Sequence, residues 1–379
     1  MSQGSSEAAA ARRVVEMDAV RGAAMFAVCL AHSGYLMSDP RVAHALKLSG
    51  MLATPTFLLL SGLVCGYLSC NVSGPVQRLR LRLIDRGLFL LVIGHLILAC
   101  THSIWMPAAV ATLHSFYITD AVGLSLIVAG LLIGRVSTRT LLILGASLYG
   151  GSVALDALMF HFDINAHPFL RVLLGAPAED QDGYVVPAIP YLGIFTVGIA
   201  AGLEFSRVRS LGVTMSQVAR ICQYVGLACI AVALIIKAGG RFLVPRVDPA
   251  SLPVVYFLTA PSQKLPPGPA YLLTFGGAGL VMAGTLARMA QTRWRGIVSM
   301  FAVVGRASLI TYIVQACLLV VPARIFDLPD SLLVWFAIAP ASFAALWLLA
   351  YFWDSRGYNR FITVGLRKIG ARPAMVPAT

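Results

Sequence analysis

Charge is scarce in this sequence, and acidic charge is the scarcest part of it. Only 12% of the 379 residues are charged, with 16 Asp and Glu set against 29 Lys and Arg. A soluble domain carries about twice that share of charged residues, so a surface solvated on all sides is excluded. Cysteine is sparse and unpaired in pattern. The seven, at 29, 65, 70, 100, 222, 229 and 317, lie mostly inside apolar runs with no CxxC spacing, which argues against a disulfide framework and a zinc site and reads them as small core residues. No GxGxxG, Walker loop, GxSxG elbow or HExxH occurs, and there is no internal repeat or low-complexity segment. The opening MSQGSSEAAAARR has no apolar run ahead of its arginines, so a cleaved leader is not expected and the first helix must direct insertion itself.

What remains is apolar length. With 58% hydrophobic residues and a mean hydropathy of +0.82, the chain reads as an all-α polytopic membrane bundle. Apolar runs near 17–37, 49–69, 87–104, 117–134, 140–158, 187–205, 218–236, 269–287, 298–321 and 331–352 give about ten spans, within a range of nine to eleven. The expected division is a tail over 1–13, one transmembrane domain over 14–355 and a basic tail over 356–379. With the N-terminus in the cytoplasm, nineteen Lys and Arg fall inside and eight outside, leaving Arg21 and Arg306 in or at the membrane; the bias sets both termini inside. The net charge of +13 is therefore mostly topological and does not call for nucleic acid.

The segment RRVVEMDAVRGAAMFAVCLAHSGYL, residues 12–36, carries charges that no ordinary anchor needs. On a helix, Asp18, Arg21, Gly22, Met25, Cys29, His32 and Leu36 share one stripe. At 1.5 Å per residue, His32 stands roughly 16 Å beyond Arg21, half of a hydrocarbon core about 30 Å thick. Asp18 and Arg21, at i and i+3, equally suit a structural ion pair at a helix end.

Pro55 permits a kink in the second span, and Ser61-Gly62 suits close helix packing. Arg78, Arg80 and Arg82 alternate with leucines beside the membrane, where they stop translocation, grip lipid phosphates or receive the phosphates of a nucleotide-bearing donor. His95 and His102 share a face and His114 follows, but no further ligand stands at metal spacing, so structural or pore-lining histidines are expected and no metal. Tyr117 and Asp120, at i and i+3, open the fourth span, and an acid there faces protein or a water-filled cavity. The connection 159–186, with Asp163, Glu179, Asp180 and Asp182, reads as an outer lid or docking surface, and in the outer stretch 238–268 and its margin Tyr256 and Tyr271 suit an interfacial belt or sugar rings. In the ninth span Ser308, Thr311, Tyr312 and Gln315 keep helical spacing, with Arg306 several residues deep and in need of an acid, a carbonyl or a phosphate. Cation first and neutral polar group beyond repeats the Arg21–His32 order, so two helices propose one axis.

The run EMDAVRGAAMFAVCLAH resembles the opening LDxxRGxA…H segment of the acyltransferase family 3 superfamily. TPTFLLLSG, IPYLGIFTVGIAAG, KLPPGPAYLLTFGGAGL and GRASLITYIVQ are more similar to its branch around heparan-α-glucosaminide N-acetyltransferase and related bacterial membrane proteins. The resemblance runs in order from about Met17 to Gln315. It implies a bundle of about ten helices in the bacterial inner membrane that takes an acyl group, acetyl foremost, from cytoplasmic acyl-CoA. The acyl group goes to a hydroxyl or amine of a glycan or small-molecule acceptor on the far side. Asp18 and Arg21 match the family's charged pair, and His32 its polar catalytic position. In the glucosaminide branch that position can be asparagine with a histidine about a dozen residues later, near which His44 stands here; many relatives have histidine where this chain has Gln315.

Such a reaction needs a base for the acceptor proton and a donor for the oxyanion. The expected roles are His32 as base or transient acyl carrier, with Asp120 or another acid orienting it and His44 as a further catalytic candidate. Arg21, Arg306, Arg78, Arg80 and Arg82 would hold donor phosphates, and Tyr117, Ser308, Tyr312 and Gln315 would contact substrate. Membrane lipids are the remaining expected partners, and composition leaves the oligomeric state open, a homodimer included. A transporter or flippase using the same charged path is the alternative.

Overall fold

The computed structural model describes residues 14–34, 37, 39–71, 75–105, 115–164, 168–175, 185–325 and 332–357, with side chains left undescribed at 102–105, 168, 250, 316, 320–325 and 332–334. Residues 1–13 and 358–379, His114, Glu179, Asp180 and Asp182 lie outside these residues. Helices account for nearly all of it. Among the described residues the one β feature is an isolated bridge between Phe116 and Val185.

The helices run in order as α1 (Val15–Ser33), α2 (Pro40–Gly50), α3 (Ala53–Asn71), α4 (Val76–Phe89), α5 (His95–Trp105), α6 (Ile118–Leu132), α7 (Thr138–His161), α8 (Pro168–Leu174), α9 (Ala188–Ser210), α10 (Met215–Leu243), α11 (Leu252–Thr259), α12 (Pro269–Tyr271), α13 (Gly277–Met289), α14 (Arg295–Arg306), α15 (Ser308–Ile325) and α16 (Leu332–Ser355). One π turn, Leu90–Gly94, joins α4 to α5, and another, Leu272–Gly276, joins α12 to α13. Local chemistry starts several of these helices. Asp39 caps α2 by accepting from Arg41 N–H at 2.8 Å, with Pro40 in the first position. Ser137 caps α7, and Thr214 with Gln217 forms a reciprocal capping box on α10.

All ten expected apolar runs coincide with helices, as an all-α polytopic membrane bundle requires. Among the described residues seven helices are long and apolar enough to cross a membrane, or eight if the bent pair α14–α15 is one span. Of the expected runs, α1 carries Glu16, Asp18 and Arg21 within its length, and α6 has only 15 residues. The expected ninth span is broken by a 77° bend between Arg306 and Ser308. Pro55 makes no mid-helix kink, because α3 begins at Ala53 and the proline sits in its first turn, where no intrahelical donor is lost. The long connections are partly helical: α8 lies within 159–186, and α10 extends into 238–268 ahead of α11.

α9 is the centre of one half of the bundle, with 67% of its apolar window buried against 11% for α10. Its glycines meet those of α3 backbone to backbone. A Cβ added at Gly62 would stand 2.1 Å from Phe195 O, one at Gly198 2.3 Å from Leu59 O and one at Gly202 2.0 Å from Leu63 O. These small residues remove side-chain bulk so that two helices touch along several turns, as TMs without a hydrophobic driving force require. Leu58, Tyr191, Phe195 and Ile199 fill the core beside them. A second crossing joins α1 to α14. A Cβ at Gly22 would lie 1.8 Å from Phe301 O, and one at Gly305 the same distance from Asp18 O. Ala19, Val20, Val298 and Ala302 pack around that crossing.

Candidate functional site

α1 and α3, one helix from each crossing, line a cavity of about 410 Å³ together with α2, α4, α6 and α15. Each wall contributes residues three or four apart, so each helix turns one stripe inward. α1 gives Arg21, Met25, Val28 and His32; α3 gives Thr54, Phe57, Ser61, Cys65 and Leu68; α4 gives Leu83, Arg86 and Phe89. α6 adds Thr119, Val122 and Leu126, and α15 adds Ser308, Leu309 and Tyr312.

The cavity has two distinct ends. α1 and α3 are antiparallel along it, so the Arg21 end carries Cys65 and Leu68, and Arg86 joins from α4. Arg21 and Arg86 both lie within electrostatic reach of the Cys65 thiol. At the His32 end, α2 packs on α1 with Gly50 against Ala27 and Ala31 and with Ala43 against Gly34, and Lys47 of α2 joins His32 in the cavity lining. Tyr271 Oη donates to Met51 O at 3.0 Å and holds the 260–271 stretch over this end, bringing Lys264 to the lining. Arg86 and Lys47 are exposed, whereas Arg21, His32 and Lys264 are half-buried. None of the lining residues is an Asp or Glu.

His32 is held across the α1–α15 contact. Its Nδ1 lies 2.5 Å from Gln315 Nε2, and Gln315 is 1% exposed. Next to it, Trp335 Nε1 donates to Ser33 Oγ at 2.9 Å. Gln315 Oε1 is buried without a hydrogen-bond partner. A half-turn of the amide presents that oxygen to a protonated Nδ1 instead, which fixes the tautomer with its lone pair on Nε2.

The other sequence candidates separate. Asp120 is not beside His32. It is 1% exposed and its Oδ2 takes His95 Nδ1 at 2.9 Å and Tyr117 N–H at 2.7 Å, so its geometry makes a His95–Asp120 pair at the start of α6. Tyr117 is buried against Leu98 and Ile313 and does not line the cavity, though its neighbour Thr119 does. Arg306 does not line it either: Nε donates to Asp354 Oδ2 at 2.7 Å at the α14–α15 bend. Arg80 Nε donates to Gly130 O at 2.7 Å and ties α4 to α6. Arg78, Arg82 and His44 are exposed and outside the lining. Asp18 is buried with its carbonyl against Gly305, while Arg21 faces the cavity. Tyr312 and Ser308 line the cavity, and Gln315 reaches it through His32. The side chain of His102 is outside the described residues.

Sequence reasoning passed over Arg86, Lys47 and Lys264 because each reads as a topological charge. A signal was available for Arg86, since Leu83, Arg86 and Phe89 repeat at helical spacing as Arg78, Arg80 and Arg82 do not.

The family model described as heparan-alpha-glucosaminide N-acetyltransferase, catalytic, matches residues 13–246, more than half of the chain. The chain belongs to the heparan-α-glucosaminide N-acetyltransferase family. It is accordingly a membrane acyltransferase. Curated proteins and solved structures give no match to it. The matched region holds Arg21, His32, Lys47 and Arg86 and ends before Lys264, Ser308, Tyr312 and Gln315.

The Arg306–Asp354 pair makes a separate prediction. The two side chains are 23% and 24% exposed, so Asp354→Ala leaves a mostly buried guanidinium without its anion. A destabilisation of about 1–3 kcal/mol is expected, to be read as a lower Tm of the purified protein.

Proposed function

We propose that this family member transfers an acetyl group from acetyl-CoA, bound at the Arg21–Arg86 end, to a glycan or small sugar-like acceptor presented at the His32 end. The wider acyltransferase family 3 superfamily is the proposed relationship, and the bacterial inner membrane the proposed setting. The positive charge bias supports a cytoplasmic Arg86 end and an acceptor on the far side. The single observation that carries the reading is one acid-free cavity that joins two guanidinium groups to an imidazole fixed by a buried amide.

Guanidinium forks suit the donor's phosphate oxygens, and the apolar middle of the cavity, with Val28, Phe57, Phe89 and Val122, suits a pantetheine-like arm. As the acceptor oxygen attacks the thioester carbonyl, His32 Nε2 takes its proton and Gln315 stabilises the ring through Nδ1. The C–O bond forms, the C–S bond breaks, and the proton passes from His32 to the departing thiolate. Tyr312 and Ser308 are the hydroxyl donors available to the developing oxyanion.

Labelled acetyl-CoA supplied to the protein in vesicles tests the reading: label must move to an acceptor. Uptake of an unmodified solute with no thioester consumed would overturn it. Arg86→Gln should weaken donor binding roughly tenfold or more, by loss of a charged hydrogen bond, measured as the dissociation constant for acetyl-CoA.

A further inference from the structure

Hydroxyls on these helices commonly return to their own backbone. Thr56 Oγ1 donates to Leu52 O at 2.6 Å, Ser125 Oγ to Ala121 O at 2.7 Å and Thr311 Oγ1 to Ala307 O at 3.0 Å. Thr119 does not. It is the second residue of α6, so the carbonyl three residues back, Phe116 O, lies outside the helix and accepts Val186 N–H at 2.8 Å. Thr119 is 8% exposed and lines the cavity, and among the described residues its Oγ1 is buried without a hydrogen-bond partner. Left so, a buried hydroxyl is a net cost to the fold. Ile118 lines the cavity beside it, and the amides of Ile118 and Thr119, first and second in α6, have no acceptor within the helix and stand at the positive end of its dipole. Threonine in a helix shares two χ1 rotamers, so Oγ1 changes sides of the turn without backbone movement.

The position of that turn is fixed. Asp120, which does not line the cavity, braces it by taking Tyr117 N–H and His95 Nδ1. α6 runs antiparallel to α4, with Gly123 against Gly87 and Gly130 against Arg80, so Thr119 lies about 6 Å beyond the Gly87 crossing, away from the Arg86 end. Tyr117 is buried with Ile313 of α15, and His32 meets Gln315 two residues further on. The start of α6 and the imidazole therefore meet α15 within one helical turn of each other.

We propose that the first turn of α6 is the oxyanion site of the transfer: Thr119 Oγ–H, with the amides of Ile118 and Thr119, binds the thioester carbonyl oxygen of the donor. The inference rests on the transfer reading above and adds a catalytic residue to it. As the acceptor's lone pair bonds to the acyl carbon, the carbonyl π pair moves onto oxygen, and these donors meet the negative charge. When the C=O bond re-forms, the C–S bond breaks and the thiolate of CoA leaves with the proton that His32 took from the acceptor. A positive helix end and a lining with no Asp or Glu favour that charge where it develops. Ser308 and Tyr312 offer the oxygen single hydroxyls from α15, whereas the α6 turn adds two main-chain donors that need no ordering.

The test uses the full chain in nanodiscs with Thr119→Val, which keeps the shape and removes the hydroxyl, and Thr119→Ser, which keeps the hydroxyl. Bound acetyl-CoA, isotope-labelled at the carbonyl carbon, is read by infrared difference spectroscopy with no acceptor present. Hydrogen bonding should lower the carbonyl stretch in the parent and the serine variant relative to Thr119→Val. Transfer to glucosamine at saturating donor should fall about a hundredfold in kcat in Thr119→Val and far less in Thr119→Ser. The dissociation constant for acetyl-CoA should change much less than kcat, and Tm should not fall, because the valine removes an unpartnered buried hydroxyl. A carbonyl stretch or a kcat that is equal in the parent and Thr119→Val would overturn the assignment, as would a loss of kcat that the serine variant shares or that a lowered Tm accompanies. If the stretch follows the hydroxyl while the parent moves no acetyl group, the carbonyl-binding site stands and the transfer reading falls.

Discussion

His32→Ala should lower kcat for acetyl transfer by about two to four orders of magnitude, the range that a positioned acid–base group supplies. Donor binding should change little by comparison, because the imidazole lies roughly 16 Å along α1 from Arg21. The variant must be paired with changes at Gln315, since a lost histidine alone does not separate chemistry from packing. Gln315→Leu removes the group facing Nδ1 and keeps the side-chain volume, so kcat should fall roughly tenfold or more while the protein still folds. Gln315→Glu retains an oxygen that accepts from Nδ1–H, and its rate should stay well above that of the leucine variant. The measurement is steady-state transfer at saturating donor. Leucine and glutamate variants of equal activity would remove Gln315 from the mechanism, and an active His32→Ala would remove the histidine.

The second large effect is structural. Gly305→Leu places a side chain where even a Cβ would stand 1.8 Å from Asp18 O, and Gly22→Leu does the same against Phe301 O. Both obstacles are backbone, so neither clash is relieved by a rotamer change. Ordinary overpacking costs about 1–3 kcal/mol; separating two helices that touch at the main chain should exceed that. Neither variant should yield a monodisperse protein on size-exclusion chromatography in detergent. Gly150→Leu on α7, where an added Cβ meets nothing within 4 Å, is the matched control and should behave like the parent.

Much of this was readable from the residues because the relevant patterns are local. Hydropathy locates all ten helical runs, and the period of α1 places Arg21, Met25 and His32 on one inward stripe. The stripe also contained Gly22 and Cys29, which turn to neighbouring helices instead, and a period alone does not say where a cavity stops and packing begins. Partner choice across the bundle was not readable. Asp120 faces His95 because of how α6 is rotated against α5, and the π turn at Leu90–Gly94 adds a residue to the helical register just before His95. Arg306 needed an anion on any reading, and the acid that meets it, Asp354, comes 48 residues later. The cavity lysines were hidden for a different reason: a cation beside a membrane is ordinary topology until the fold shows what it faces.

The two backbone-to-backbone crossings divide the molecule mechanically. α1 and α14 are locked together by Gly22 and Gly305, and α3 and α9 by their own glycines, and the cavity is lined by one helix of each pair, α1 and α3, with α2, α4, α6 and α15. The 77° bend after Arg306 serves both needs at once: α14 stays on the α1 crossing while α15 turns away from it to bring Ser308 and Tyr312 to the cavity wall.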